Sequence, residues 1–175
     1  MRVLVTGGVR SGKSRHAESL LAGREQVTYV AAGPSAAEDP DPDWALRLAA
    51  HRDRRPASWT TLETRDLPAV FAAAGGPVLV DCLGTWLTGV LDERGLWERP
   101  ADEVGAVVDD LLDAAVTALA QVPDVVLVTN EVGLGVVPAH RSGRLFRDLL
   151  GTVNQRLAGA CDEVHLVIAG RVLVL

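Results

Sequence analysis

Apolar, mostly β-branched runs recur along the chain at residues 3–5, 27–30, 78–80, 125–128 and 164–168, with a last one at 172–175. Their apolarity is continuous rather than alternating, the pattern of strands covered on both faces. The last run is expected at a sheet edge. Between the runs lie helical patterns. Residues 14–21 place Ala17, Leu20 and Leu21 on one side, and Gly23 follows as a stop signal. Residues 101–119 carry a stripe of Val104, Val107, Val108, Leu111, Leu112 and Ala115, and residues 144–157 carry Leu145, Leu149, Leu150, Val153 and Leu157. Strand–helix alternation predicts an α/β fold with a mostly parallel central sheet and helices on both faces. Two loops are expected: a mobile one at residues 33–42, with three prolines and the small residues Gly33, Ser35, Ala36 and Ala37, and a second at residues 92–100. No repeat or long linker divides the 175 residues, so one domain is expected over 1–175.

Composition narrows the function classes. The formal net charge of −6 argues against a nucleic-acid partner, which requires a basic face. No apolar run approaches the roughly 20 residues of a membrane span. The two cysteines, Cys82 and Cys161, form no metal-type pair, and the first residues run directly into a strand pattern. Together these point to reduced thiols in a cytoplasm. The sequence holds sixteen arginines and one lysine, Lys13. The exception falls where a compact ammonium differs chemically from a planar guanidinium.

That lysine sits in Gly7-Gly8-Val9-Arg10-Ser11-Gly12-Lys13-Ser14, which fits the phosphate-loop pattern G-x-x-x-x-G-K-[ST] between a buried strand and a helix. Glycines let backbone N–H groups wrap a phosphate, and the helix adds its positive end. Lys13 is expected on the β- and γ-phosphates and the Ser14 hydroxyl on Mg²⁺. Asp81 ends the 78–80 run, where a carboxylate faces the ligand crevice of a parallel sheet, and is expected to help hold Mg²⁺. Ala31, Ala32 and Gly33 follow the 27–30 run into the same crevice. The expected architecture is therefore a three-layer P-loop NTPase fold of the RecA-like kind. A phosphate loop alone does not separate kinases, GTPases and motors.

Four further segments discriminate. They are the opening Val5 to Glu18; Ala50-His51-Arg52-Asp53-Arg54-Arg55-Pro56 with Trp59 and Glu63; Val128-Thr129-Asn130-Glu131-Val132-Gly133-Leu134-Gly135-Val136-Val137-Pro138; and Asn154-Gln155-Arg156-Leu157-Ala158. In this order, over nearly the whole chain, they resemble the bifunctional adenosylcobinamide kinase/adenosylcobinamide-phosphate guanylyltransferase family. The resemblance implies phosphorylation of adenosylcobinamide by a nucleoside triphosphate, GTP or ATP. It then implies transfer of GMP from GTP to adenosylcobinamide phosphate through a guanylylated histidine, which matches His51. It further implies nucleotide contacts from Ala31, Ala32, Gly33 and Glu63, and a homo-oligomer, with a trimer as the specific expectation. The residues themselves are compatible. Imidazole is a competent nucleophile near pH 7, and a covalent intermediate divides one hard transfer into two. Arg52, Arg54 and Arg55, with Asp53 among them, stand beside His51 to meet nucleotide phosphates. His16, next to the phosphate loop, is the rival nucleophile. His140 falls in a loop, and His165, inside a strand pattern, reads as structural. Asn130 and Glu131 end the 125–128 run and rank below Asp81 as site residues. The residues 33–42 loop departs from the family by its length and prolines. Two other functions fit the phosphate loop: a simple small-molecule kinase without covalent intermediate, and a regulatory GTP-binding module.

Overall fold

The computed structural model describes residues 1–35 and 37–175, and every side chain among them except that of Arg47. Ala36, counted above among the small loop residues, lies outside the described residues. The elements in chain order are β1 (Arg2–Gly7), α1 (Lys13–Leu20), β2 (Thr28–Ala31), α2 (Pro42–Asp53), β3 (Thr60–Glu63), α3 (Leu67–Ala72) and β4 (Val78–Asp81). They continue with α4 (Leu83–Glu93), α5 (Ala101–Leu119), β5 (Val125–Val128), α6 (Arg141–Ala158), β6 (Glu163–Ile168) and β7 (Arg171–Val174).

The strands form one seven-stranded sheet in the order β3-β2-β4-β5-β1-β6-β7. All neighbours are parallel except β6 and β7, which pair antiparallel. Strand pleating explains why the core runs were uninterrupted. Leu4, Val78, Val80, Val125 and Leu127 point to the face covered by α3, α4, α5 and α6. Val3, Val5, Leu79, Val126 and Val128 point to the opposite face, with Ala17 and Leu21 of the α1 segment. Successive side chains thus enter two separate apolar layers, and neither face tolerates polarity. This is the α/β architecture expected from the strand–helix alternation. Among the described residues, no helix is long and apolar enough to cross a membrane.

Four elements were not foreseen, for different reasons. In α4 the buried set Leu83, Gly84, Trp86, Leu87, Gly89, Val90 and Leu91 covers most of the helix surface and leaves only a narrow polar face of Thr85, Thr88 and Asp92, a weak signal in the sequence. The short α3 starts at Leu67-Pro68, capped by Asp66, whose carboxylate accepts from the Ala69 amide at 3.0 Å. The edge strand β3 is exposed throughout and carries no apolar run. In α2 no described residue is buried, and its start is set by local chemistry instead: Pro42 occupies the first turn and Asp41 accepts from the Asp43 amide at 2.9 Å. The loop expected at 33–42 thus ends by opening a helix. It is also tied down, since the Glu38 carboxylate accepts from the Ser35 amide at 2.7 Å and from Arg65 at 3.1 Å. The second loop begins two residues later than expected, because α4 continues to Glu93.

Candidate active site

The C-terminal ends of β1, β2, β4 and β5 open on one cleft of about 650 Å³. Parallel strands deliver their following loops to the same edge, so segments distant in sequence converge there.

The phosphate loop forms one wall. Gly12 has φ 99°, a left-handed conformation that glycine adopts without strain, and Arg10 is also left-handed at φ 57°. These reversals turn the backbone around a concavity at the start of α1, the geometry of an anion nest. The Lys13 side chain is buried against it, with Nζ donating to the Gly8 carbonyl at 3.2 Å. The Ser11 hydroxyl is buried with no hydrogen-bond partner among the described residues. An orphaned hydroxyl is costly unless a ligand completes it.

The opposite wall is built on β2, β4 and the end of α2. Asp81, at the end of β4, accepts from the Tyr29 hydroxyl at 3.1 Å through Oδ2. The same Oδ2 lies 3.4 Å from His51 Nδ1. Burial first, and the Asp81 charge second, push the Tyr29 phenol well above its ordinary value, so it stays a neutral donor. The Arg55 guanidinium stacks 3.8 Å from the centroid of the same ring. Arg55 Nε also donates to the His51 carbonyl at 2.9 Å, and Nη1 donates to Thr61 Oγ1 at 2.7 Å. Arg54 Nη2 lies 3.2 Å from His51 Nδ1. With Nδ1 flanked by Asp81 and Arg54, Nε2 is the ring nitrogen left for a ligand.

Most of the residues expected at the site meet here. Val9, Arg10, Ser11, Gly12, Lys13, Ser14, Ala31, Gly33, His51, Arg54, Arg55, Glu63 and Asp81 all line the cleft. Gly7 and Gly8 lie behind the loop, with the Gly8 carbonyl serving Lys13 and the Gly7 carbonyl accepting from the Glu131 amide at 3.2 Å. Ala32 is fully buried in the core. Arg52 and Asp53 face outward, and the nearest acid to Arg52 is Glu63, at 4.0 Å. Glu63 is half exposed at the rim. Asn130 lines the cleft, held by Asn154, which donates to the Asn130 carbonyl at 3.1 Å and accepts from Thr129 Oγ1 at 2.6 Å. Glu131 turns away and accepts from the Gly133 amide at 2.5 Å.

Tyr29, Trp44, Cys82 and Thr85 also line the cleft and were not foreseen. Tyr29 is the chain's only tyrosine, inside the 27–30 strand run, which was the available signal. Gly33 packs closely there, since a Cβ on it would stand 2.9 Å from Thr85 Cβ and 3.3 Å from Trp44. The Cys82 thiol is pushed up by burial and then by Asp81, so it is no thiolate nucleophile.

The rival histidine is differently placed. His16 Nε2 bonds His165 Nδ1 at 2.8 Å, and His165 Nε2 bonds Glu163 at 2.8 Å. Burial first, and His165 second, hold the His16 imidazole below its ordinary value. His16 is not among the residues of the cleft wall. His165 is buried within β6, consistent with a structural role. His140 precedes α6, on the exposed surface.

Hard oxygen donors for Mg²⁺ are present in Ser14 and Asp81, both on the cleft wall. Asp81 Oδ2 is used by Tyr29 and His51, and no hydrogen bond among the described residues uses Oδ1. Among the described residues no group of three or more histidine, cysteine or acidic side chains forms a metal cage. That set suits Mg²⁺, which keeps waters and takes phosphate oxygens rather than an all-protein cage.

Known proteins share this chain's sequence over nearly its full length. The chain is 44% identical to the bifunctional adenosylcobalamin biosynthesis protein CobU of Salmonella typhimurium, over 97% of both chains. It is 42% identical to the protein of the same name from Escherichia coli, again over 97% of both. It is 40% identical to the bifunctional adenosylcobalamin biosynthesis protein CobP of Pseudomonas aeruginosa, over 97% of this chain and 94% of the other. The family model described as cobinamide kinase/cobinamide phosphate guanyltransferase matches residues 3–175. With the phosphate loop, Asp81 and His51 gathered on one cleft, the chain belongs to the cobinamide kinase/cobinamide phosphate guanyltransferase family.

Proposed function

We propose that this protein phosphorylates adenosylcobinamide and then guanylylates the product, using one triphosphate cleft for both steps. The observation that carries the reading is His51 on the same wall as Asp81, with Nδ1 3.4 Å from its carboxylate, facing the cleft that Lys13 and Ser14 line.

In the first step the substrate hydroxyl oxygen forms a bond to the γ-phosphorus and gives up its proton to water. The bond from that phosphorus to the β–γ bridging oxygen breaks, and a nucleoside diphosphate leaves. Lys13 and the loop amides hold the charge on the phosphates. In the second step His51 Nε2 forms a bond to the α-phosphorus of GTP, and the bond to the leaving pyrophosphate breaks. A phosphate oxygen of adenosylcobinamide phosphate then attacks the same phosphorus, the P–N bond breaks, and His51 is regenerated. Tyr29 and Asp81 orient the ring from its Nδ1 side, and Arg54 and Arg55 lie close enough to meet phosphate charge. Glu63, at the rim, is an acceptor for the guanine N1–H and N2–H₂ groups. Mg²⁺, held by Ser14 and Asp81 when bound, neutralises triphosphate charge.

The reading includes a homo-oligomer, specifically a trimer, working in the cytoplasm. Exposed Leu134, Val136 and Val137 beyond β5, and the exposed apolar side chains of β7, are surfaces that suit association.

Incubation with GTP labelled at the α-phosphorus tests the transferase. Label should stay on the protein and be absent from His51→Ala. Adenosylcobinamide with unlabelled GTP should yield adenosylcobinamide-GDP and pyrophosphate. No covalent label, with phosphorylation intact, would instead establish a simple kinase. Slow GTP hydrolysis that ignores the corrinoid would establish a regulatory GTP-binding module.

A further inference from the structure

The helix that carries His51 has no buried anchor of its own. No described residue of α2 is buried. Its first half is held by Trp44 Nε1, which donates to the Pro34 carbonyl at 2.9 Å. Its last turn is held by the two arginines after it, and these divide the task. Arg55 grips the His51 backbone carbonyl at 2.9 Å. Arg54 packs beside the ring, with Nη2 3.2 Å from Nδ1, as a steric and electrostatic neighbour, because the Nδ1 proton faces Asp81 when Nε2 is the free nitrogen.

Arg54 is itself pinned. Its Nη2 donates to Glu18 Oε1 at 3.0 Å and its Nε to Glu18 Oε2 at 3.2 Å. This is a two-pronged carboxylate–guanidinium pair, which fixes orientation as well as distance. Glu18 stands on α1, one helical turn beyond Ser14, with a side chain only 14% exposed. It does not line the cleft. The rigid helix that begins at the phosphate loop therefore also holds, through Glu18 and Arg54, the imidazole on the facing wall.

We propose that Glu18 is a positioning residue for guanylyl transfer, holding Arg54 and through it the His51 ring in register with the phosphate loop. This rests on the assignment of His51 as the guanylyl acceptor. Removing the Glu18 charge frees the Arg54 fork to swing toward solvent, and the ring loses a fixed neighbour. The backbone of α2 stays in place because Arg55 and Trp44 are untouched. Precise seating of the nucleophile governs the covalent step far more than nucleotide affinity.

The test compares Glu18→Gln, Arg54→Gln and the double variant in single-turnover labelling with α-labelled GTP. Phosphorylation of adenosylcobinamide and thermal unfolding are followed alongside. Glu18→Gln should lower the labelling rate constant at saturating GTP about tenfold, with half-saturation by GTP and the phosphorylation rate within about twofold of the parent. The double variant should label no more slowly than Arg54→Gln alone, because Glu18 acts only through Arg54. Labelling of Glu18→Gln at the parent rate would overturn the proposal. So would losses that multiply in the double variant, or an equal fall in phosphorylation and labelling. Label that persists in His51→Ala would instead overturn the assignment of the nucleophile, whatever Glu18 does.

Discussion

Tyr29→Phe isolates one oxygen at the centre of the site. The ring remains, buried in the core layer on the α1 face and stacked under Arg55. Only the hydroxyl that donates to Asp81 Oδ2 at 3.1 Å is removed. Asp81 is 7% exposed in its side chain, so water replaces that donor poorly. A hydrogen bond to a charged group contributes about 1.5 to 3 kcal/mol, and leaving a buried acceptor under-satisfied costs about the same. The His51 ring nitrogen 3.4 Å away still faces the same oxygen, so the lower end applies, about 1.5 kcal/mol. For a domain of this size that corresponds to a fall in Tm of about 3 to 6 °C. Calorimetry on the nucleotide-free protein measures it, with m-values from urea unfolding to confirm that the denatured state is unchanged. The labelling rate with α-labelled GTP should fall as well, because Asp81 is freed to turn from the ring. A Tm within a degree of the parent, with an unchanged labelling rate, would refute the view that Tyr29 holds Asp81 in place.

Three more outcomes follow from the geometry. Lys13→Ala removes the cation shared by both reactions, so phosphorylation and guanylylation should each fall by on the order of a hundredfold, read in separate product assays. Gly33→Ala places a methyl 2.9 Å from Thr85 Cβ and 3.3 Å from Trp44, and should lower stability by about 1 to 3 kcal/mol in urea unfolding while slowing the labelling of His51. The Ser35 amide and Arg65 hold the Glu38 carboxyl down to about 2, below its ordinary value. A carboxylate with a depressed folded-state pKa contributes its tether fully above about pH 4.5 and loses it as the pH falls toward 2. Protease cleavage within residues 33–42 should therefore rise over that window in the parent, using an acid-tolerant protease, and vary less in Glu38→Gln.

The strands of the core were legible because a strand covered on both faces must be apolar at every position, and residues 3–5, 78–80 and 125–128 are. The phosphate loop was legible because it is local: its glycines, Lys13 and Ser14 are adjacent in the chain and need only a strand before and a helix after. Asp81 was legible for the same reason, as the charge that ends an apolar run. The resemblance to a family then singled out His51, which its exposed surroundings alone did not.

Other features depended on distance in the fold. Nothing in the chain orders β4 beside β2 and one strand away from β1, and that order decides which loops share the cleft. Apart from the resemblance, residue spacing did not separate His51 from His16, since each lies near basic residues. Packing places the two differently, turning His16 onto His165 and His51 onto Asp81 at the cleft wall. The helix bearing His51 went unseen because it lacks an apolar stripe. Its place is set by Glu18, Tyr29 and Pro34, from other elements of the fold. Local chemistry is written in neighbouring residues, whereas a site assembled from seven separated segments exists only once the sheet has brought their ends together.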